Sequence, residues 1–416
     1  MVKTFVPIDS SCKVCDAVRS EDVLLHVTGR DYPGILAKLT KILFDYKIPL
    51  VDVQQTTSLG QLSLSLLINV PAHVGLAVLK ELSHNARVLG LSFDFFVLHE
   101  GELVRDEGRK TYALTILSPE ISISSFHALA IVLGENSINI ERMNRLAQGN
   151  LSALEFILGV PNTTGELANL KRILFKVAFE HNFDLAIQPE NLYRRSKRLI
   201  VMDMDSTLIQ QEVIDELADQ VGVGEKVAEI TTRAMQGKLD FAASLKERVA
   251  LLKGMPAEEM NEVLKRISLT PGAEILISIL KKMGFKIAII SGGFTYFTNY
   301  FQNQLGLDYS FANQLEIEDG KLTGRTMGRV IDRAGKAAIL RELAAAEKIP
   351  LDQTVAVGDG ANDLDMLETA GLGIAFNAKP TVRDHARAFI SQPGLDSILY
   401  LLGVSQKELL EMQSRD

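Results

Sequence analysis

Apolar residues follow two regimes along the chain. Up to about residue 190 they mark short strands and short helices in alternation. From residue 199 they mark buried strands separated by long helical stretches. In the first regime Val23 to Thr28 alternates weakly, as a strand does, and Gly29-Arg30-Asp31-Tyr32-Pro33-Gly34 reads as a turn. Pro33 suits the first position of a helix, and Ile35, Leu36, Leu39, Ile42, Leu43 and Tyr46 then recur at helical spacing. Two strand-like runs follow, Leu50 to Thr57 and Leu62 to Val70, around Ser58-Leu59-Gly60-Gln61. The second has period two, with Leu62, Leu64, Leu66, Ile68 and Val70 set against Ser63, Ser65 and Asn69. A helix over about Val74 to Asn85 and a strand over Leu91 to Leu98 complete a βαββαβ unit.

The unit then repeats. Tyr112 to Leu117 matches the first strand, Phe126 to Leu133 the helix, and Ile138 to Leu146 with Leu151 to Val160 the hairpin. The Val70-Pro71 ending returns as Val160-Pro161, and Glu166 to Glu180 and Phe183 to Ile187 close the second copy. An offset of about 90 residues exceeds solenoid periods, so the pattern predicts two small domains and not an array. They span 22–99 and 110–189, after an N-terminal tail over 1–21. Residues 190–198 form a basic linker. Its charge run could suit phosphate, but a short run beside a domain boundary reads first as a solvated connector.

The second regime opens on Leu199, Ile200, Val201 and Met202, a short buried strand that ends in Asp203 and Asp205. Bare carboxylates are costly inside a strand, so both belong at its C-terminal mouth beside a cation. Ligands bind at that edge in open α/β sheets. Helical spacing then runs through Val213, Leu217 and Val221, through Val227, Ile230 and Met235, and through Phe241, Leu245, Val249, Leu251 and Leu252. Pro256 and Ala257 open a further helix through Leu264, which makes about 208–270 a helical cap suited to act as a lid. The core resumes with a helix over Ala273 to Met283 and a strand over Lys286 to Ile290 ending in Ser291-Gly292-Gly293-Phe294. A hydroxyl followed by glycines at such a point can cradle phosphate. Gly320 to Met327 reads as a hairpin. Lys336 lies near a helix N-terminus, where an acid is the usual choice; it is either a surface lysine or one placed for a bound anion. Thr354 to Val357 is a strand that runs into Gly358-Asp359-Gly360-Ala361-Asn362-Asp363. Two further carboxylates at a strand end suit Mg²⁺, which takes oxygen ligands. This second regime closes near residue 403, leaving 404–416 as a C-terminal tail.

Composition adds limits. The 416 residues are 47% hydrophobic with a net charge of -8, so several domains are expected and nucleic acid is not the main partner. No run approaches a membrane span and residues 1–20 have no apolar leader core, which makes the cytoplasm the expected setting. Cys12 and Cys15 could be a redox pair or half a zinc site, but no further cysteine completes such a site, and reduced thiols are the simpler reading.

Strand and helix alternation brings Asp203, Asp205, Ser291, Gly292, Lys336, Asp359 and Asp363 to one sheet edge. Carboxylates, a metal, phosphate donors and a lysine together describe phosphoryl transfer through a carboxylate nucleophile. No Walker loop is present. The series Asp-x-Asp-Ser-Thr, Ser-Gly-Gly, Lys and Gly-Asp-Gly-x-Asn-Asp resembles that of the haloacid-dehalogenase-like phosphatases, over residues 197–403. The first half resembles a pair of ACT domains, chiefly through Asp31-Tyr32-Pro33-Gly34. The implied fold is mixed α/β and α+β: a Rossmann-like parallel-sheet hydrolase core with a helical cap, after two ferredoxin-like βαββαβ domains.

The resemblance also implies roles. Asp203 would attack phosphorus, and Asp205 would protonate the leaving oxygen and later deprotonate water. Mg²⁺ would be held by Asp203, the Asp205 carbonyl and Asp359, with Asp363 orienting water on the metal from behind. Ser291, Gly292 and Lys336 would bind phosphate, and Asn362 phosphate or substrate. The cap stretches around Glu212, Met235-Gln236-Gly237 and Arg248 are similar to the branch that hydrolyses O-phospho-L-serine in the last step of serine biosynthesis. There Glu212 and Arg248 would hold the ammonium and carboxylate, and Met235 and Phe241 would close over the site. Singly, Glu212 is an ordinary solvated helix residue and Arg248 an ordinary ion pair. The rival readings are another phosphomonoester (phosphothreonine, phosphohomoserine or a phosphoprotein) and an amino-acid sensor with a vestigial phosphatase. By the same resemblance, Asp31 and Gly34 would form an amino-acid effector loop, the second copy lacks that glycine at Ser118-Pro119-Glu120-Ile121-Ser122, and the ACT domains would support a homodimer.

Overall fold

The computed structural model describes residues 20–99, 109–162, 167–235, 238–383, 385–392 and 394–414. Cys12, Cys15, Gln236, Gly237 and the side chain of Met235 lie outside the described residues. The chain forms two compact units, residues 1–107 and 108–416. Among the described residues no helix is long and apolar enough to cross a membrane.

In the first unit β1 (Ser20–Arg30) leads through a helix (Ile35–Asp45) to the hairpin β2 (Leu50–Ser58) and β3 (Gln61–Pro71). A second helix (Gly75–Val88) and β4 (Ser92–Leu98) complete it. The four strands form an antiparallel sheet in the order β2-β3-β1-β4. The period-two pattern of β3 sends Leu62, Leu64, Leu66, Ile68 and Val70 to one face. There they pack with Val23, Leu25 and Val27 against helix residues such as Leu39, Leu43, Val78 and Leu82. Strand β1 begins earlier than its apolar pattern indicates. Ser20 and Glu21, assigned above to the tail, pair with Pro71 and Val70, because ladder hydrogen bonds need no apolar side chains.

The second unit begins with the repeat of this topology: β5 (Arg109–Ser118), a helix (Ile123–Glu135), β6 (Asn139–Ala147), β7 (Ser152–Pro161), a helix (Leu167–Glu180) and β8 (Asp184–Pro189). It continues with β9 (Leu199–Met202), the cap helices Val213–Gln220, Gly224–Met235, Phe241–Ala250 and Glu259–Leu264, and the helix Ala273–Lys282. Then follow β10 (Lys286–Phe294), β11 (Tyr309–Glu318), β12 (Lys321–Met327), β13 (Thr354–Gly358), β14 (Leu372–Phe376) and β15 (Ala388–Ile390). The last cap helix begins at Glu259, not at Pro256, because Pro256 forms a bridge with Lys321.

The second repeat is not a separate body. Strand β8 pairs antiparallel with β15, so one sheet runs β12-β11-β10-β9-β13-β14-β15-β8-β5-β7-β6. The difference from the first unit lies in the edge strand. In β8 Leu185, Ala186 and Ile187 are all buried, whereas β4 leaves Phe95 and Phe96 exposed. A strand apolar on both faces needs a neighbour on its outer side. The Phe175 and Phe389 rings seal the join edge to face at 5.0 Å.

Two expectations fail at this join. The basic linker is not a solvated connector: Arg194 is fully buried, paired with Glu155 of β7 and, at 2.7 Å, with Glu190, while Arg195 reaches Glu155 at 3.2 Å. Glu155 is itself buried, and a buried carboxylate requires a cation. The C-terminal tail is also structured. Ser405 and Glu408 form a capping box for the helix Gln406–Gln413, Leu409 enters the core, and Lys282 donates to the Met412 carbonyl at 2.8 Å.

Glu155→Ala leaves the Arg194 guanidinium buried with only Glu190 to offset it. It is expected to destabilise the second unit by about 3–5 kcal/mol in urea denaturation. A change within about 0.5 kcal/mol, the range of an ordinary surface substitution, would show that the pair does not hold the join.

Candidate active site

Strands β10, β9, β13 and β14 run parallel, so their C-terminal ends share one edge. After Met202 the backbone breaks from the strand. Asp203 Oδ1 accepts from the Met204 N–H at 2.7 Å, and Ser206 takes a left-handed φ of 55° inside the tight turn Met204–Leu208. This turn throws both carboxylates to the sheet edge. Asp205 Oδ1 accepts from the Val213 N–H at 2.8 Å, and Oδ2 from the Ser291 hydroxyl at 3.0 Å.

Strand β10 supplies the next part. Its pairing with β11 is irregular between Ile290 and Phe294, where Ser291, Gly292 and Gly293 bulge. The two glycines serve close approach. A Cβ on Gly292 would lie 2.8 Å from the Phe241 ring of the cap, and one on Gly293 would lie 2.7 Å from Asp205 Oδ2. The Phe241 ring therefore lies directly over Gly292.

Lys336 is not a surface lysine. Asp332 caps its helix (Arg333–Ala346) by accepting from the Gly335 N–H at 2.8 Å, and Lys336 is then wholly buried. Its ammonium lies 2.6 Å from Asp203 Oδ2 and 2.6 Å from Asp363 Oδ1. Burial alone would lower its pKa, but the charges of Asp203 and Asp363 outweigh that and raise it above the ordinary lysine range. Asp363 Oδ2 accepts from the Gly360 N–H at 3.0 Å, which closes the β13 loop. Asp359 accepts from the Thr207 hydroxyl at 3.2 Å.

The carboxylates crowd one another. Burial, then the Asp363 charge, raises Asp203 well above the carboxylate range. Burial and Glu212 raise Asp205 to about 6, and burial and Asp363 raise Asp359 to about 7. One lysine does not neutralise this set. Asp203, Asp359 and Asp363 each offer an oxygen within 4.8 Å of the others, a hard-oxygen donor set that fits a small divalent cation.

The cap adds Glu212, which accepts from the Ser206 hydroxyl at 2.7 Å at the start of the helix Val213–Gln220. The Arg248 guanidinium is partly buried. Burial lowers its pKa against the charges of Asp215, Glu212 and Asp205, which face it. The legs of the cap are joined where Ile209 bridges Leu269 and Thr270 donates to the Thr207 carbonyl at 2.6 Å. Asn362 is half-buried in the turn after Gly360.

Residue-type reasoning missed Asn313. It donates to the Gly292 carbonyl and accepts from the Ile331 N–H, both at 2.8 Å, and so ties the serine–glycine loop to the segment before Lys336. The signal in the sequence is period-two alternation, which sets Asn313 on the same strand face as Phe311 and Leu315. Asp215 was also missed; burial and Glu212 raise its pKa.

The family described as haloacid dehalogenase-like hydrolase matches residues 197–371, and ACT-domain families match 21–96 and 110–188. A phosphoserine phosphatase of Streptomyces coelicolor is 43% identical over 389 residues, which span 93% of each chain. The chain belongs to the haloacid dehalogenase-like hydrolases. Within this hydrolase family a phosphoserine phosphatase of Mycobacterium tuberculosis is 41% identical over 389 residues, 93% of this chain and 94% of that one. The crystal structure of a family hydrolase from Salmonella enterica serovar Typhi superposes with a TM-score of 0.62 at 35% identity, covering 70% of this chain and 98% of that one. That of a probable phosphoserine phosphatase from Vibrio cholerae, in unliganded form, gives 0.57 at 36% identity, with coverages of 76% and 91%.

The crowded carboxylates make a stability prediction. A carboxyl whose pKa is raised on folding binds its proton more tightly in the folded state. Without a divalent cation, stability then falls as pH rises from about 4, through the values near 6 and 7 of Asp205 and Asp359. In EDTA at pH 7.5, Asp359→Asn is expected to melt several degrees above the parent, and at pH 4.5 the gap should close. A lower melting temperature at pH 7.5 would show that the acids do not repel one another.

Proposed function

We propose that the protein hydrolyses O-phospho-L-serine to L-serine and phosphate with Mg²⁺ through an aspartyl-phosphate on Asp203. The observation that carries this is the buried Asp203–Lys336–Asp363 chain beside Asp205, with Glu212 and Arg248 facing it from the cap. Two phosphoserine phosphatases at 41–43% identity over almost the whole chain support the substrate.

Asp203 is aimed by two contacts, the Met204 N–H and the Lys336 ammonium. Its carboxylate attacks phosphorus as the bond from phosphorus to the serine oxygen breaks. Asp205, with a pKa of about 6, gives its proton to that oxygen. A water then attacks phosphorus, Asp205 takes its proton, and the bond to Asp203 breaks to release phosphate. The Ser291 hydroxyl, the N–H groups of the glycine loop and Lys336 hold the phosphoryl oxygens and offset their charge as the bonds exchange. Mg²⁺, held by Asp203, Asp359 and the Asp205 carbonyl, would supply further positive charge there. Asp363 acts from behind, since its oxygens hold Lys336 and the Gly360 N–H. Asn362 lies in the same loop, where it would meet phosphate or substrate.

Substrate choice rests on the cap. Glu212 suits the serine ammonium, and the planar Arg248 fork suits the carboxylate. Phe241 over Gly292 limits the access of bulk water to the phosphoryl group, so that hydrolysis of the mixed anhydride falls to the water that Asp205 deprotonates.

The first ACT domain would serve as the effector module. Gly34, at φ 97°, caps the helix Ile35–Asp45 without a side chain, so its first N–H groups are open to a carboxylate, and Asp31 lies in the same loop for an ammonium. The second repeat fills the matching position with its own Ser122 hydroxyl, which accepts from the Ser125 N–H at 3.0 Å. It is therefore assigned a packing role. The fully exposed edge strand β2 suits pairing with a second copy, so a homodimer is the proposed assembly.

Phosphate release from O-phospho-L-serine should be rapid with Mg²⁺ and lost in EDTA. Arg248→Ala should raise KM for O-phospho-L-serine by about 100-fold or more, the scale of a lost charged pair of some 3 kcal/mol. The same variant should change KM for O-phosphoethanolamine, which has no carboxylate, only slightly. Equal losses on both would remove Arg248 from carboxylate recognition. Separately, Asp31→Ala should weaken any inhibition by added L-serine without altering the uninhibited rate. Unchanged inhibition would move the effector site elsewhere.

A further inference from the structure

The serine–glycine loop has little of its own to hold it. Strand β10 is in register with β11 at Ile290, opposite Phe311, and again at Phe294, opposite Asn313. Between those points β10 is the longer path, so Ser291, Gly292 and Gly293 lie outside the ladder. The peptide between Gly292 and Gly293 has no Cβ on either side, and such a peptide turns over at little steric cost. Yet its orientation decides which way the hydrogen-bond donors of the loop point.

Asn313 stands in for the missing ladder bonds. Its side chain is buried, with Oδ1 accepting from the Ile331 N–H and Nδ2 donating to the Gly292 carbonyl, both at 2.8 Å. The amide has one setting here, because the first neighbour only donates and the second only accepts. In a trans peptide the C=O and N–H point in opposite directions. Holding the Gly292 carbonyl towards Asn313 therefore turns the Gly293 N–H to the other side, where it donates to the Ser291 hydroxyl oxygen at 2.8 Å. That hydroxyl has a single proton to give, and it goes to Asp205 Oδ2 at 3.0 Å. The bonds form one chain, from the segment before the Lys336 helix through Asn313, the glycine peptide and Ser291 to Asp205. A turned peptide would put the Gly292 carbonyl where the Gly293 N–H now lies. The Ser291 hydroxyl would then donate to that carbonyl, and its proton would be lost to the reaction.

We infer that Asn313 is a positioning residue of the reaction: by clamping the Gly292–Gly293 peptide it keeps the Ser291 proton turned towards Asp205 and the phosphoryl group. This role presupposes the phosphoryl transfer proposed above. It does not depend on which phosphomonoester is the substrate, since the loop serves the phosphoryl group that all of them share. A fixed donor matters most where charge develops in the transition state, so loss of the clamp falls on kcat more than on KM.

The test is a double-mutant cycle on the full chain with Mg²⁺, using O-phospho-L-serine and p-nitrophenyl phosphate. Asn313→Leu keeps nearly the same size and removes both hydrogen bonds. It should lower kcat by about tenfold or more on either substrate, with KM changed by no more than about threefold. In Ser291→Ala no hydroxyl proton remains to be aimed, so there the same substitution should cost less than about threefold more. Asn313→Ser, too short to reach both backbone groups, should give the same cycle and carries the test if Asn313→Leu does not fold. Rates are taken per folded enzyme, measured by circular dichroism. Losses that multiply in the double variant would overturn the route through Ser291. An unchanged kcat in the Asn313 variants would overturn the clamp itself. A parent that hydrolyses only p-nitrophenyl phosphate would contradict the proposed substrate, while the cycle on that compound still decides the clamp. A parent that releases phosphate from neither would contradict both.

Discussion

The buried ammonium of Lys336, set between Asp203 and Asp363, is the interaction on which the catalytic edge depends. It joins three chain segments that are distant in sequence: the end of β9, the helix Arg333–Ala346 and the loop after β13. A lysine so enclosed is stable only because two carboxylates face it, and those carboxylates tolerate burial only because the lysine is there. The other acids nearby exceed what one cation can offset. A site of this kind is poorly stable for its own sake and well prepared for a divalent cation and a phosphate dianion.

The rest of the second unit carries this cluster. The buried strands β9 and β13 hold their ends in register, Asp203 donates its N–H to the Val357 carbonyl at 2.9 Å, and Asn313 clamps the serine–glycine loop from the neighbouring strand. The cap returns on a pair of joined legs and lays Phe241 on Gly292. On the far side the sheet does not stop. It passes through β15 into the second ACT domain, sealed by an aromatic pair and by Arg194 between Glu155 and Glu190. That domain is thus part of the scaffold of the catalytic sheet, whereas the first is a unit by itself.

Much of this was legible in the sequence because the signals were short-range. Alternation in Leu62–Val70, the apolar run Leu199–Met202 and the acids that follow it depend on local pattern alone. What escaped were effects of partners supplied by other segments. Arg194 reads as solvent-facing because nothing near it in sequence shows that Glu155 is buried 39 residues earlier. Lys336 viewed singly resembled a surface residue for the same reason. The Gln406–Gln413 helix reads as a tail because its stabilising contacts are a capping box and a docked leucine, not a long apolar face. Asn313 acts only through two backbone groups in other elements.

The most direct test is a rapid acid quench of the enzyme during turnover of O-phospho-L-serine labelled in the phosphoryl group. The account predicts label bound to protein in an acid-stable, hydroxylamine-sensitive linkage, mapped to the peptide that contains Asp203 and absent from Asp203→Asn. Hydrolysis at the normal rate in Asp203→Asn, or label on any other residue, would contradict it.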